Sequence, residues 1–126
     1  MGYNGIYVPT ILEFEYKCGV HVLAAAKAEA FANSYALQAE GLINAIARRV
    51  FAVNAAAFTA LPAGAKYLLT EIASDLMAIY AITYDFSGYT SRVEAEDMIN
   101  ILRDAALRGL AVLRDKKTVE FLMTGA

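Results

Sequence analysis

The stretch YLLTEIASDLMAIYAITY, residues 67–84, is long enough for about five turns of helix and is apolar on nearly every face, with Glu71 and Asp75 as its only charges. A helix that is hydrophobic all round has to be surrounded by protein. A chain of 126 residues has little other material to surround it with. This stretch is therefore expected at the centre of a small bundle, with neighbouring subunits completing its cover.

On its N-terminal side, Val53 to Ala65 reads as a linker containing Asn54, Pro62 and Gly64, and the central helix is expected from about Leu61 to Asp85. Before the linker, Val22 to Phe51 is a long helical region with a possible break at Asn33-Ser34. Leu37, Ile43 and Ile46 with Ala36, Ala39 and Ala47 form its apolar stripe. Gly41 costs about 1 kcal/mol relative to alanine in mid-helix, so a close backbone crossing is expected there. Thr10 to Lys17 reads as a short helix behind Pro9, whose missing N–H is harmless at a helix start. The alternation of Ile11, Glu13, Glu15 and Lys17 would also suit a strand, but the chain offers no partner strand. Met1 to Val8 shows neither period and reads as an arm.

On the C-terminal side, residues 85–90 read as a turn. Ser91-Arg92-Val93-Glu94 then matches the capping box of a helix start. Glu96 and Asp97 add negative charge where the helix dipole favours it. Ala95, Met98, Leu102, Ala105, Gly109 and Val112 step by three and four along one face, flanked by Ile99, Ala106, Leu110 and Leu113. Asp115 to Lys117 interrupt this pattern, and Thr118 to Ala126 is a short apolar tail, a candidate docking peptide whose removal is expected to leave the fold intact. The fold class is all-α: a small helical bundle of three main helices, with a short N-terminal helix and extended N- and C-terminal arms. The domain organisation is an arm at residues 1–9, a helical domain at 10–117 and a docking tail at 118–126.

Composition narrows the function classes. Hydrophobic residues make up 59% of the chain and charged residues 19%, against about 25% charged in ordinary globular domains. Much of the surplus is alanine, which suits close helix contacts, and the excess favours self-association. The net charge of −2 comes from interspersed acids and bases, with no basic stripe of the kind that tracks nucleic acid. A single cysteine excludes an intramolecular disulfide. The opening MGYNGIYVPT lacks the basic region and apolar core of a signal peptide. The longest uncharged run, Val50 to Ala65, holds Pro62 and Gly64 and falls short of a membrane span.

Little in the residues points to catalysis. Cys18 and His21 are close, but a metal site wants three or four convergent ligands, and a nucleophile pair wants a third orienting group. Glu71 and Asp75, four apart, share one face of the central helix. A di-metal bundle would need Glu-x-x-His motifs, and none is present. The pair is expected to face solvent, a central lumen or basic groups of a neighbouring subunit. Tyr80 and Tyr84, with Phe86 and Tyr89, form an aromatic patch that suits a core or an interface better than a ligand pocket. There is no phosphate-binding loop, dinucleotide fingerprint, nucleophile elbow or zinc-protease motif. No cofactor and no metal are expected.

Three segments in order carry a resemblance: AEGLINAIARRVF (39–51), AKYLLTEIASDL (65–76) and YDFSGYTSRVEAEDMINILRDAALRGLAVLRDKK (84–117). Together they resemble the head-to-tail adaptor, or connector and head completion, proteins of tailed bacteriophages. The likeness covers roughly residues 10–123, and its most specific part is SGYTSRVEAEDMINILRD. The resemblance implies a virion structural protein without enzymatic activity, found at the head–tail junction of the virion. Such adaptors form a homo-oligomeric ring, commonly of twelve copies, beneath the portal protein. The ring extends the channel through which genomic double-stranded DNA passes without specific binding, and it receives a stopper or tail-completion protein. No membrane is involved. The family's C-terminal segment reaches the portal, which implies portal contacts at Lys116, Lys117, Val119, Phe121, Leu122 and Met123. Tyr3, Ile6 and Tyr7 in the N-terminal arm would meet a neighbour or another neck protein, and Glu71, Asp75, Tyr80 and Tyr84 are subunit-interface candidates. Two rival readings are a bacterial helical protein-binding module acting as a small oligomer, and a small enzyme or ligand-binding bundle using Glu71, Asp75 or His21.

Overall fold

The computed structural model describes residues 3–18, 29–84 and 91–124. Among these the secondary structure is helical: α1 (Ile11–Cys18), α2 (Glu29–Ala47), α3 (Ala55–Thr59), α4 (Ala63–Tyr84), α5 (Arg92–Leu113) and α6 (Lys116–Thr124). α4 is the hub of the helical bundle, packing against α1, α2, α5 and α6. Residues 72–78 of α4 are buried without interruption, which is two turns of helix covered on every face. Their cover comes from the chain itself. The expectation that neighbouring subunits complete it is corrected for this part of α4.

Each helix boundary has a local cause. The ambiguous segment behind Pro9 is helix α1, burying Phe14 and Cys18. α2 runs through Asn33-Ser34 without a break, because Ala32, Tyr35, Ala36, Ala39, Glu40 and Ile43 keep a buried face at helical spacing. It ends where Arg48 adopts φ 55° and the Arg49 N–H donates to the Asn44 carbonyl at 3.1 Å. That is the bonding of a Schellman cap, with arginine at the position glycine usually holds. A left-handed conformation costs a side-chain-bearing residue about 1–2 kcal/mol. Within the expected linker lies the single turn α3. Asn54 caps it by accepting from the Ala57 N–H at 2.8 Å, and its burial of Phe58 pins the connection to the core.

Ser91 caps α5 as expected, its hydroxyl accepting from the Glu94 N–H at 3.2 Å. The buried stripe of α5 is Ala95, Leu102, Ala106, Leu110 and Leu113, with Val112 exposed, so the stripe is turned toward the flank expected at Ala106, Leu110 and Leu113. The close crossing is also elsewhere. Gly41 faces open space, whereas a Cβ at Gly109 would collide with the Ile72 side chain of α4.

Both termini depart from the extended arms expected of them. Residues 3–8 lie on the bundle, with Tyr7 and Val8 in the core. Thr118 to Thr124 belong to α6, and Asp115 is its cap rather than a simple interruption. The Asp115 carboxylate accepts from the Lys117 N–H (3.1 Å) and the Thr118 hydroxyl (2.9 Å). Val119 is buried, and Leu122 and Met123 pack against the core. Removal of residues 118–126 is therefore expected to open the core rather than to leave the fold intact.

Candidate functional site

Three places bring polar chemistry together. The first is the junction of α1 and α4. Lys17 reaches across to Glu71 at 2.7 Å and to Asp75 at 3.1 Å. Glu71 is half-exposed, but Asp75 is only 1% exposed, and its Oδ2 has no hydrogen-bond partner among the described residues. Burial pushes the Asp75 carboxyl up to about 6, against the pull of Lys17, and the like charge of Glu71 adds to the rise. Burial alone would lower Lys17, but its hydrogen bonds to both carboxylates outweigh this and hold it above its ordinary value. The basic partner of the carboxylate pair is thus α1 of the same chain. Asp75 does not reach solvent, a lumen or a neighbour. Beside the pair, a groove of about 530 Å³ runs between Pro9, Glu13, Tyr16 and Lys17 on one side and Lys66, Tyr67, Thr70 and Glu71 on the other.

The second place is the seat of the N-terminal segment. The buried Glu40 carboxylate accepts from the backbone N–H groups of Ile6 (2.8 Å) and Tyr7 (3.3 Å). The Tyr7 hydroxyl donates to Asn44 Oδ1 and accepts from the Phe51 N–H at 3.1 Å. The Thr70 hydroxyl donates to the Tyr7 carbonyl at 2.7 Å. The Tyr7 ring lies against Phe58 and edge-on to Phe51. Tyr7 is a structural pin and is not presented to a partner. Tyr3 and Ile6 are half-buried against the same core, and the Tyr3 hydroxyl is directed at the Met77 sulfur. Burial pushes the Tyr3 hydroxyl well up.

The third place is α6. Lys116, Lys117 and Phe121 are exposed, Leu122 and Met123 are half-buried, and Val119 is the residue that anchors the helix. The tail residues singled out in the sequence thus divide between an outward face and an inward one.

Comparison of the chain with protein-family models, with curated proteins and with solved structures returns no match.

Among the interface candidates, Tyr80 packs its ring on Tyr35 of the same chain at 6.1 Å between centroids. Tyr84 closes α4, while His21, Phe86 and Tyr89 lie outside the described residues. Among the described residues no three His, Cys, Asp or Glu side chains converge as a metal site, and no helix is long and apolar enough to cross a membrane. Sequence reading missed Lys17 as the partner of Glu71 and Asp75, since 54 residues separate it from Glu71 and no short-range pattern joins them. It also missed Glu40 as the acceptor for the N-terminal segment. The signal available there was an acid among the apolar positions of α2.

Proposed function

We propose that this chain is a structural protein of a virion, a head-to-tail adaptor in which α2, α4 and α5 are the three main helices of the domain. Copies join side by side in a ring, commonly of twelve, under the portal protein. The ring continues the channel for the genomic double-stranded DNA and presents a platform to a stopper or tail-completion protein. The chain's role is assembly rather than catalysis, and its place is the neck between head and tail.

The observation that carries this reading is an apolar surplus outside a core that is already closed. Leu37 is 69% exposed, Val93 64%, Ile101 65% and Phe121 56%, and further large hydrophobics on α1 and α2 are exposed. Scattered apolar side chains are normal on a surface. So many on so small a domain favour cover by other chains. A ring is a heterologous assembly that closes on itself and gives each copy two lateral partners. The segment from Ser87 to Asp104, with its capping box, supplies the likeness to the adaptor family.

The portal contact is assigned to the outward face of α6. Phe121 is its apolar anchor, Lys116 and Lys117 orient it, and Val119 with the inner sides of Leu122 and Met123 holds the helix to its own domain. Native mass spectrometry of the full chain, alone and then mixed with a portal ring encoded beside it, tests the proposal. A portal-bound ring of many copies is the expected result. A monomer or small oligomer that ignores the portal would overturn it in favour of a bacterial helical protein-binding module.

A further inference from the structure

Arg48 lies at the meeting point of three adjoining depressions. One, of about 220 Å³, is lined by Ile46, Ala47, Arg48, Arg114 and Lys116. A second, of about 470 Å³, is floored by Ala45, Ile46, Leu107, Leu110 and Ala111 between Arg48 and Arg114. The third, of about 320 Å³, runs past Arg49 and Lys116 to Val119 and Glu120. Shared lining residues make them one groove from the end of α5 across the end of α2 to α6. Its walls hold Arg48, Arg49, Arg114 and Lys116, and Glu120 at one end is the single carboxylate in the lining. Arg48, Arg114 and Lys116 make no ion pair or side-chain hydrogen bond among the described residues. Lysines at the first positions of α6 sit at the positive end of its dipole, where they raise the local positive potential further. The chain also keeps a strained arginine at Arg48, where glycine would be relaxed. Strain at a position of this kind points from the backbone toward a function.

We infer that this groove is a docking surface for a segment of a partner protein that carries carboxylates beside apolar side chains. The occupant follows from the lining. Free guanidinium groups receive carboxylates through paired hydrogen bonds, and the apolar floor rewards burial of a hydrophobic side chain between them. A nucleic-acid backbone would use the cations and leave the floor of Leu107, Leu110 and Ala111 unfilled. The inference does not depend on the adaptor reading, because it concerns the chemistry of the occupant and not the identity of the assembly.

The test uses the full chain and a surface-displayed library of random 16-residue peptides. Selection is expected to enrich peptides in which Asp or Glu lie next to Leu, Ile, Phe or Met. Their affinity should fall at least about tenfold on Arg48→Glu with Arg114→Glu; both residues are exposed, and an unchanged melting temperature checks that the variant is folded. Arg48→Gly separates function from structure: it should weaken the selected peptides several-fold while raising the melting temperature by a few degrees. Three results would overturn the proposal. The first is no enrichment, or enriched peptides that bind the double variant as well as the natural chain. The second is a 20-base-pair DNA duplex that binds at low salt and is lost in the double variant, which would assign the groove to phosphate. The third is self-association abolished by that variant, which would assign it to a second copy.

Discussion

Asp75 is buried beside Lys17, and a carboxylate held there is sensitive to pH. Its ordinary value is 3.8 and burial raises it to about 6 in the folded chain. The folded state therefore binds this proton more tightly than the unfolded one. The resulting stabilisation is complete below pH 4 and is lost as pH rises through 6, by about 3 kcal/mol in all. The stability of the natural chain minus that of Asp75→Asn should fall across this window. A difference that stays flat or rises in chemical denaturation from pH 4 to 7.5 would refute the assignment. Tyr7 gives a second test. Tyr7→Phe removes the acceptor of the buried Phe51 N–H and the donor to Asn44, and should cost about 1–3 kcal/mol in urea unfolding, with hydrogen exchange accelerated at Phe51. Sequence showed that Glu71 and Asp75 share a face, because that follows from a four-residue step. It could not show the third member, because the approach of Lys17 is set by how α1 packs on α4 and not by any short spacing.

At the scale of the elements, Gly41 and Gly109 make opposite predictions. Gly41 lies on an exposed face of α2 with open space where a side chain would be. Gly41→Ala should gain about 1 kcal/mol from helix propensity alone. Gly109 lets α5 close on Ile72 of α4, where an added Cβ would come within 2.8 Å of the Ile72 Cδ1. Gly109→Ala should lose about 1–2 kcal/mol despite the same propensity gain, because overpacking costs more. A second substitution, Ile72→Ala, should make the added methyl tolerable, and a double-mutant cycle by thermal unfolding reads the coupling. Sequence marked Gly41 as the site of a close crossing and placed Gly109 only as a step on an apolar face, but a helix crossing is a property of two helices, and α2 alone carries no record of what faces Gly41. Caps were more legible. The Ser91 box is local chemistry and was readable directly. Asp115 offered the same kind of signal, an acid before Thr118 and an apolar step, but its place right after a continuous helical stripe made it read as an interruption.

For the whole molecule, the central position of α4 was legible because a segment without a polar face has one stable place in a bundle. The source of its cover was not, because composition records how much apolar surface exists and not which chain buries it. The described residues bury the middle of α4 within one chain and leave the surplus on the outer helices and on α6. This relocates the test of assembly. Deleting residues 118–126 removes Val119 from the core as well as Phe121 from the surface, so a loss of portal binding would be confounded by loss of fold. Single substitutions on the outward face avoid this. Phe121→Asp should leave the melting temperature within about 1–2 °C, since surface changes are generally small, yet reduce association with the portal ring by more than Lys117→Ala does. A desolvated aromatic anchor dominates interface energy, whereas a charge at the rim contributes mainly to encounter. Native mass and sedimentation at matched concentrations distinguish the two. If Lys117→Ala proves the more damaging, the contact is electrostatic and α6 is not seated on the portal through its aromatic side chain.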